Sequence, residues 1–125
     1  MHTSAESRFV AVVDDDESIR DALQGLIQES GFSTFACASA EEFFESGLKR
    51  QTACLVADIR LPGISGLELQ SRLIASHQDI PIIFITAHGD EDMRLQALRA
   101  GAVEFLAKPF DDEFLVGCVR AAMNR

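Results

Sequence analysis

Four short apolar runs of this chain each end at a polar residue suited to phosphate chemistry. The run FVAVV is followed by Asp14, ACLVA by Asp58, IPIIFI by Thr86 and VEFLA by Lys108. Short continuous apolar runs are typical of the buried strands of a parallel sheet. Such a sheet gathers its functional groups where the strands reach their carboxyl ends. We therefore expect carboxylates, a hydroxyl and an ammonium to share one pocket.

Segments with helical periodicity separate these runs, which predicts an α/β fold with a parallel sheet and helices on both faces. Ser39 and Glu42 form a capping box that predicts the start of the second helix, and we expect Leu69, Leu73 and Ile74 of the third helix to face the core. The second strand alternates weakly, as expected at a sheet edge. The predicted strands span 9–13, 32–36, 53–57, 82–85 and 103–106, and the predicted helices span about 17–30, from 39, 66–76, 90–100 and from 111.

The length and charge of the chain restrict its organisation. A chain of 125 residues suits one domain, which we expect to span 9–125 after a flexible N-terminal stretch, 1–8, with no output domain in this chain. The net charge of −9 argues against a chain that itself grips nucleic acid. No apolar run approaches membrane-spanning length, and three scattered cysteines suit a reducing compartment. The expected location is therefore the cytoplasm.

The acidic residues of the predicted pocket indicate a magnesium site. Asp14, Asp15 and Asp58 would repel one another without a cation, and Mg²⁺ commonly uses one or two carboxylates together with a phosphate. One of these aspartates could also accept a phosphoryl group as a nucleophile. Lys108 would offer a compact positive charge to the phosphoryl oxygens, and the Thr86 hydroxyl could donate a hydrogen bond to the same group.

The segments that carry these residues resemble a known family. VVDDDESIR, VADIRLPGISGLEL, PIIFITAHGD and GAVEFLAKPF are similar to the motifs of the response-regulator receiver domains of bacterial two-component systems. The loop sequences LPGISGLELQ and TAHGD are most similar to the FixJ-like branch, whose members usually carry a C-terminal DNA-binding domain. The resemblance implies a flavodoxin-like (CheY-like) doubly wound fold, with five parallel strands in the order 2-1-3-4-5 and five helices.

The resemblance also implies a role for each pocket residue. Asp58 would be the phosphoacceptor, and Mg²⁺ or Mn²⁺ would be held by Asp14, Asp15, Asp58 and the backbone carbonyl of Arg60. Lys108 would contact the transferred phosphoryl group. The family then implies that the domain is not an enzyme in the usual sense, because it catalyses only its own phosphorylation and dephosphorylation.

A further set of residues would transmit the phosphorylated state. By resemblance, Thr86 is the switch hydroxyl and Phe105 occupies the switch-aromatic position, where many receivers carry a tyrosine. His88 follows two residues after Thr86 and is expected to shape the switch loop or the lifetime of the phosphoryl group, or to be an exposed loop residue. The Lys108–Pro109 peptide bond is expected to be cis.

The partners implied by the resemblance are a sensor histidine kinase and a second copy of the domain. The kinase would supply the phosphoryl group from a phosphohistidine. Phosphorylation would shift the face formed by helix four, strand five and helix five between two states, and this face would bind a partner or form a homodimer. DNA would be contacted only through a fused output domain, with no role for a membrane.

Three other functions remain open from the residues alone. A Mg²⁺-dependent phosphatase with an aspartyl-phosphate intermediate would share these side chains, and Asp14 with Asp16 matches the DxD pattern of such enzymes. The chain, however, offers no cap segment for a substrate. A flavin-binding electron carrier would need a hydroxyl-rich loop after the first strand, where this chain has DDDE, and it has no Trp or Tyr. The third alternative is a binding module that acts without phosphorylation.

Overall fold

The computed structural model describes residues 8–87 and 91–124. The N-terminal stretch predicted to be flexible therefore lies, apart from its last residue, outside the described residues. In chain order the elements are β1 (Phe9–Val13), α1 (Glu17–Glu29), β2 (Thr34–Cys37), α2 (Ala40–Glu45), a 3-10 helix (Lys49–Gln51), β3 (Thr52–Asp58), α3 (Gly66–Ala75), β4 (Ile82–Thr86), α4 (Glu91–Arg99), β5 (Glu104–Ala107) and α5 (Asp112–Met123). This is the alternation of strand and helix that the sequence predicts.

The five strands form one parallel sheet in the order β2-β1-β3-β4-β5. The predicted strand order and the edge position of β2 are therefore confirmed. The interior strands β1, β3 and β4 are almost wholly buried, which explains why they are continuous apolar runs in the sequence. Within the described part of the chain, no helix is both long and apolar enough to cross a bilayer.

Each face of the sheet has its own apolar core, because successive residues of a strand point to opposite faces. In β1, Val10 and Val12 face the core beneath α1 and α5, whereas Ala11 and Val13 face the core beneath α2, α3 and α4. The α1–α5 core also contains Leu23, Ile27, Cys54, Val56, Ile83, Ile85, Leu115, Val119 and Ala122. The sheet is thus buried on both sides, and its strand ends are fixed in place.

The second strand begins later than predicted because Phe32 is part of the turn that closes the C-terminus of α1. Gly31 has φ +99, and its N–H donates to Gln28 O, while the N–H of Phe32 donates to Ile27 O. This pair of hydrogen bonds is the Schellman arrangement, which needs a residue in the left-handed conformation after the helix. Phe32 is therefore used to close the helix, and the ladder with β1 starts at Thr34.

One predicted core residue of α3 is not buried. Leu69 and Leu73 are buried as expected, but Ile74 is 53% exposed. The buried stripe of α3 consists of Gly66, Leu69, Gln70 and Leu73, and Gln70 donates a hydrogen bond to Ala97 O of α4. A polar residue thus occupies a core position where the spacing of apolar residues suggested Ile74.

Candidate functional site

The carboxyl ends of β1 and β3 bring three carboxylates together. Val13 pairs with Ala57 in the sheet, and the next residue along each strand is an aspartate, Asp14 and Asp58. Carboxylate oxygens of Asp14, Asp15 and Asp58 all lie within 4.8 Å of one another. The prediction that these three side chains share one pocket is therefore confirmed by the geometry.

Asp14 is fully buried, and its backbone and side chain are both held by neighbours. Its Oδ1 accepts a hydrogen bond from the N–H of Asp16 at 2.9 Å, and its carbonyl accepts one from Arg20 Nη1 at 2.8 Å. Burial raises the pKa of the Asp14 carboxyl, and the charge of Asp58 adds to this rise, whereas the hydrogen bond from Asp16 and the charge of Lys108 oppose it. A positively charged ligand beside Asp14 would therefore stabilise the ionised form of its carboxyl.

Asp58 is oriented by the turn that follows β3. Its Oδ1 accepts a hydrogen bond from the N–H of Arg60 at 2.9 Å, which fixes the plane of the carboxylate. Its side chain keeps 12% of its surface exposed, unlike that of Asp14, so a group in solution can reach it. The N–H of Ile59 donates to Ile85 O of β4 at 3.0 Å, which ties the end of β3 to the neighbouring strand.

Lys108, the residue that follows β5, places a positive charge beside these carboxylates. Its Nζ lies 3.5 Å from Asp14 Oδ2 and 3.5 Å from Asp58 Oδ2. Its backbone N–H donates to Thr86 O at 2.7 Å, which holds the residue just after β5 against the end of β4. The Lys108–Pro109 peptide bond is cis, in agreement with the prediction.

The two predicted switch residues of β4 and β5 lie on adjacent strands. Thr86 is the last residue of β4 and is fully buried; it follows Ile85, which pairs with Asp58. Phe105 pairs with Phe84 in the ladder, and their ring centroids are 6.5 Å apart. Phe105 is only partly buried and packs against the core. His88 lies outside the described residues.

The donor set fits Mg²⁺ or Mn²⁺. The three carboxylates are hard oxygen ligands, which suit cations that prefer oxygen and retain several waters. The one positive charge of the Lys108 ammonium, 3.5 Å from Asp14 and Asp58, does not match the three negative charges of the group. The residues present can therefore hold a divalent cation beside Asp58.

Asp16 does not join the carboxylate cluster. Its Oδ1 accepts hydrogen bonds from the N–H groups of Ser18 and Ile19 at 2.9 and 3.3 Å, so it caps α1. The second aspartate of the DxD pattern, Asp16, is therefore the N-cap of α1. This geometry gives no support to the phosphatase alternative, which needs both acids in the pocket.

Two residues that support the site carried no signal in the sequence. Arg20 holds the carbonyl of Asp14, although helical periodicity makes it one more polar residue of α1. Glu41 of α2 accepts a hydrogen bond from the N–H of Ile64 in the loop after β3, and the sequence places it inside a capping box only. Both contacts join different elements, so local patterns do not reveal them.

Comparison with known proteins identifies the family. The model of the response regulator receiver domain matches residues 10–120. Nodulation protein W of Bradyrhizobium diazoefficiens is 46% identical over 125 residues, which cover 99% of this chain and 55% of that protein. The transcriptional regulatory protein FixJ of Azorhizobium caulinodans is 41% identical over 120 residues, which cover 96% of this chain and 57% of that protein. The chain thus spans about half the length of these relatives.

The solved structures agree with this result. The crystal structure of FixJ-N matches with a TM-score of 0.85 at 37% sequence identity, and the match covers 94% of each chain. Receiver domains of this kind are signalling domains with the CheY-like fold, and they are not enzymes in the usual sense. The matched sequence, the order of the strands and the grouping of three aspartates beside a lysine lead to one conclusion: this chain belongs to the response-regulator receiver domain family, in its FixJ-like branch.

Proposed function

We propose that this chain is a phosphorylation-activated receiver that accepts a phosphoryl group on Asp58. The observation that carries the proposal is the position of Lys108 Nζ, 3.5 Å from both Asp14 Oδ2 and Asp58 Oδ2. A cation held against clustered carboxylates at a sheet edge suits a group that is itself anionic. Of the three carboxylates, Asp58 has a fixed plane and some exposure, as a nucleophile needs.

These positions support the following reaction. A carboxylate oxygen of Asp58 attacks the phosphorus of a phosphohistidine presented by a sensor histidine kinase, the P–N bond breaks, and its electron pair returns to the imidazole nitrogen. Lys108 stabilises charge on the phosphoryl oxygens during this transfer. Mg²⁺ or Mn²⁺, held by Asp14, Asp15, Asp58 and the Arg60 carbonyl, would supply further charge neutralisation and orientation. Later attack of water on phosphorus returns Asp58 to a carboxylate.

An apolar groove beside the site supports docking of the kinase. It lies between α1 and the segment after β5, next to Lys108, and is lined by Ile19, Ala22, Leu26, Pro109 and Phe110. A partner helix that packs into this groove would lie close to Asp58.

The three cysteines carry free thiols, which suits a reducing compartment. We propose that phosphoryl transfer takes place in the cytoplasm.

Phosphorylation is proposed to change the face formed by α4, β5 and α5. The buried Thr86 hydroxyl would donate to a phosphoryl oxygen, and Phe105 would follow Thr86 by rotating its ring inward beside Phe84. Val103 and Phe114, which belong to this region, are 39% and 49% exposed. We propose that this face then forms a homodimer or binds an output domain, through which any contact with DNA would be made.

Intact-protein mass spectrometry tests the proposal. The protein is incubated with acetyl phosphate with and without Mg²⁺, beside Asp58→Asn and the matched control Asp21→Asn, whose side chain is exposed on α1. We expect one phosphoryl group on the wild type and on the control, and none on Asp58→Asn or without Mg²⁺. Uptake by Asp58→Asn would assign another acceptor. No uptake by the wild type would favour a binding module that acts without phosphorylation, and sustained turnover of a phosphate ester would favour a phosphatase.

A further inference from the structure

Glu41 of α2 makes a contact that its place in the helix does not require. The first turn of α2 is closed by other groups: Ser39 Oγ accepts the N–H of Glu42, and Glu42 Oε1 accepts the N–H of Ala38. Glu41 instead points away from the capping box, and its Oε2 accepts the N–H of Ile64 at 3.2 Å, 23 positions later in the chain. The side chain thus joins α2 to the loop between β3 and α3.

That loop carries the proposed metal ligand, the carbonyl of Arg60. Its base is fixed by the sheet and by α3, because the N–H of Ile59 donates to Ile85 O and the N–H of Gly66 donates to Ile59 O, both at 3.0 Å. Near that base, the N–H of Arg60 donates to Asp58 Oδ1 at 2.9 Å, and the distal part of the loop is contacted by another element. Glu41 supplies such a contact at Ile64, on the far side of the turn from Arg60.

The loop is shaped to receive this carboxylate. Gly63 has φ +72, a conformation that side chains disfavour. A Cβ on Gly63 would lie 2.5 Å from Glu41 Oε2, so the absence of a side chain allows the carboxylate to reach the next amide. Glu41 Oε1 is buried without a hydrogen-bond partner, which shows that the carboxylate is enclosed rather than resting on the surface. Gly63 and Ile64 thus fit closely around the Glu41 carboxylate.

We propose that Glu41 is a positioning residue for the metal site, which holds the loop so that the Arg60 carbonyl faces the carboxylates of Asp14 and Asp58. This inference rests on the proposed function, because it assumes that the carbonyl is a ligand. Groups that orient metal ligands without touching the metal typically change metal affinity about 10- to 100-fold. We expect the reach of Glu41 to matter rather than its charge.

Three substitutions at one position separate reach from charge. Glu41→Ala removes both. Glu41→Asp keeps the charge but is one methylene too short to reach the Ile64 amide, and Glu41→Gln loses the charge but keeps an oxygen that can accept that N–H. The matched control is Glu45→Ala, which removes the same charge from an exposed position on the same helix.

The primary measurement is Mg²⁺ binding to the unphosphorylated protein by calorimetry, with hydrogen exchange of the Ile64 amide as a structural readout. We expect Glu41→Ala and Glu41→Asp to weaken Mg²⁺ binding by about tenfold and to speed exchange at Ile64. Glu41→Gln and Glu45→Ala should remain within about twofold of the wild type in both measurements. Because Glu41→Asp and Glu41→Gln are mild changes, they keep the test decisive even if Glu41→Ala does not fold.

The outcomes distinguish this inference from the proposed function. Wild-type affinity in Glu41→Asp and Glu41→Ala would overturn the positioning role while leaving the phosphoacceptor site intact. Weakening in Glu41→Gln but not in Glu41→Asp would also overturn it, because long-range charge would then explain the effect. A wild-type protein that neither binds Mg²⁺ nor takes up a phosphoryl group would overturn the proposed function, and the positioning role with it.

Discussion

Lys108 and Asp14 lie 94 residues apart in the sequence, yet Nζ of Lys108 is 3.5 Å from Oδ2 of Asp14. Asp14 is fully buried and Lys108 keeps 15% of its side chain exposed, so solvent screens this pair only weakly. The same ammonium lies 3.5 Å from Asp58 Oδ2. Lys108 therefore stands where a divalent cation would also be attracted, and where charge would develop during phosphoryl transfer.

Lys108→Ala is expected to separate metal binding from chemistry. Removal of the ammonium leaves the carboxylates more negative, so Mg²⁺ should bind at least about fivefold more tightly, a ratio that corresponds to ~1 kcal/mol, the interaction of two unit charges about 4 Å apart in water. Phosphorylation by acetyl phosphate should slow by about 10²- to 10³-fold, as for loss of a group that stabilises developing charge.

Calorimetry and a time course of intact mass measure the two effects of Lys108→Ala. Arg99→Ala serves as a control, because it removes a positive charge from the end of α4. If Mg²⁺ bound more weakly to Lys108→Ala than to the wild type, Lys108 would support the metal site instead of competing with it.

The raised pKa of Asp14 predicts how stability depends on pH without Mg²⁺. Burial is the main cause of the rise above the ordinary value of 3.8. A carboxyl whose pKa is higher in the folded protein binds more protons there than in the unfolded chain. Its contribution to stability is therefore complete below pH 3.8 and is lost as the pH rises through the folded-state pKa.

Asp14→Asn cannot ionise, and its amide oxygen can still accept the N–H of Asp16. We expect this variant to have a larger free energy of unfolding than the wild type at pH 7 in EDTA, with the difference shrinking toward pH 4. Urea unfolding across this range measures it, with Asp21→Asn as the control. An equal or smaller free energy of unfolding at pH 7 would show that the charge of Lys108 and the hydrogen bond from Asp16 offset the cost of burying the Asp14 carboxylate.

Thr86→Ala is expected to uncouple phosphorylation from its consequence. The Asp14 and Asp58 carboxylates accept hydrogen bonds from the N–H groups of Asp16 and Arg60, which the substitution leaves in place, so the variant should still take up one phosphoryl group from acetyl phosphate and Mg²⁺. Without a hydroxyl to donate to the phosphoryl oxygen, the α4–β5–α5 face should not change, and phosphorylation should no longer increase self-association. Thr86→Ser keeps the hydroxyl and should behave like the wild type.

Sedimentation velocity before and after phosphorylation measures the effect of Thr86→Ala. Increased self-association in phosphorylated Thr86→Ala would show that the Thr86 hydroxyl is not required for the switch. Equal self-association of the free and phosphorylated wild type would refute the homodimer.

The sequence predicts the fold and the grouping of the site because both follow from short-range patterns. Apolar runs identify buried strands, and a parallel sheet then places Asp14, Asp58, Thr86 and Lys108 at one edge, whatever the helices do in detail. The order of the strands came from the family resemblance and is confirmed by the sheet. The motifs are local and specific, which is why the family could be recognised before any contact was known.

What the sequence does not predict depends on contacts between distant elements. The hydrogen bonds from Arg20 to the Asp14 carbonyl and from Ile64 to Glu41 have no signature in local periodicity. The exposure of Ile74 escaped prediction for a similar reason, because Gln70 takes the core position through its hydrogen bond to α4. The packing of α3 against α4 therefore decides which residues of α3 are buried.

A pair of glycine substitutions tests how tightly the loop after β3 is packed against the strand. A Cβ on Gly66 would lie 2.7 Å from Ile59 Cα and 2.9 Å from Asp58 O, both of them backbone atoms that cannot move aside independently. A Cβ on Gly25, inside α1, would meet nothing within 4 Å. We expect Gly66→Ala to lower the free energy of unfolding by about 2 kcal/mol or more, and Gly25→Ala to raise it by about 0.5–1 kcal/mol because alanine favours the helix.

Urea unfolding monitored by circular dichroism compares the two glycine variants. Because the clash of Gly66→Ala involves the carbonyl of the proposed phosphoacceptor, phosphorylation by acetyl phosphate should also slow in this variant under conditions where it remains folded, whereas Gly25→Ala should phosphorylate like the wild type. Wild-type stability in Gly66→Ala would mean that α3 can move away from β3 at little cost, and the loop between them would then not be fixed at its base.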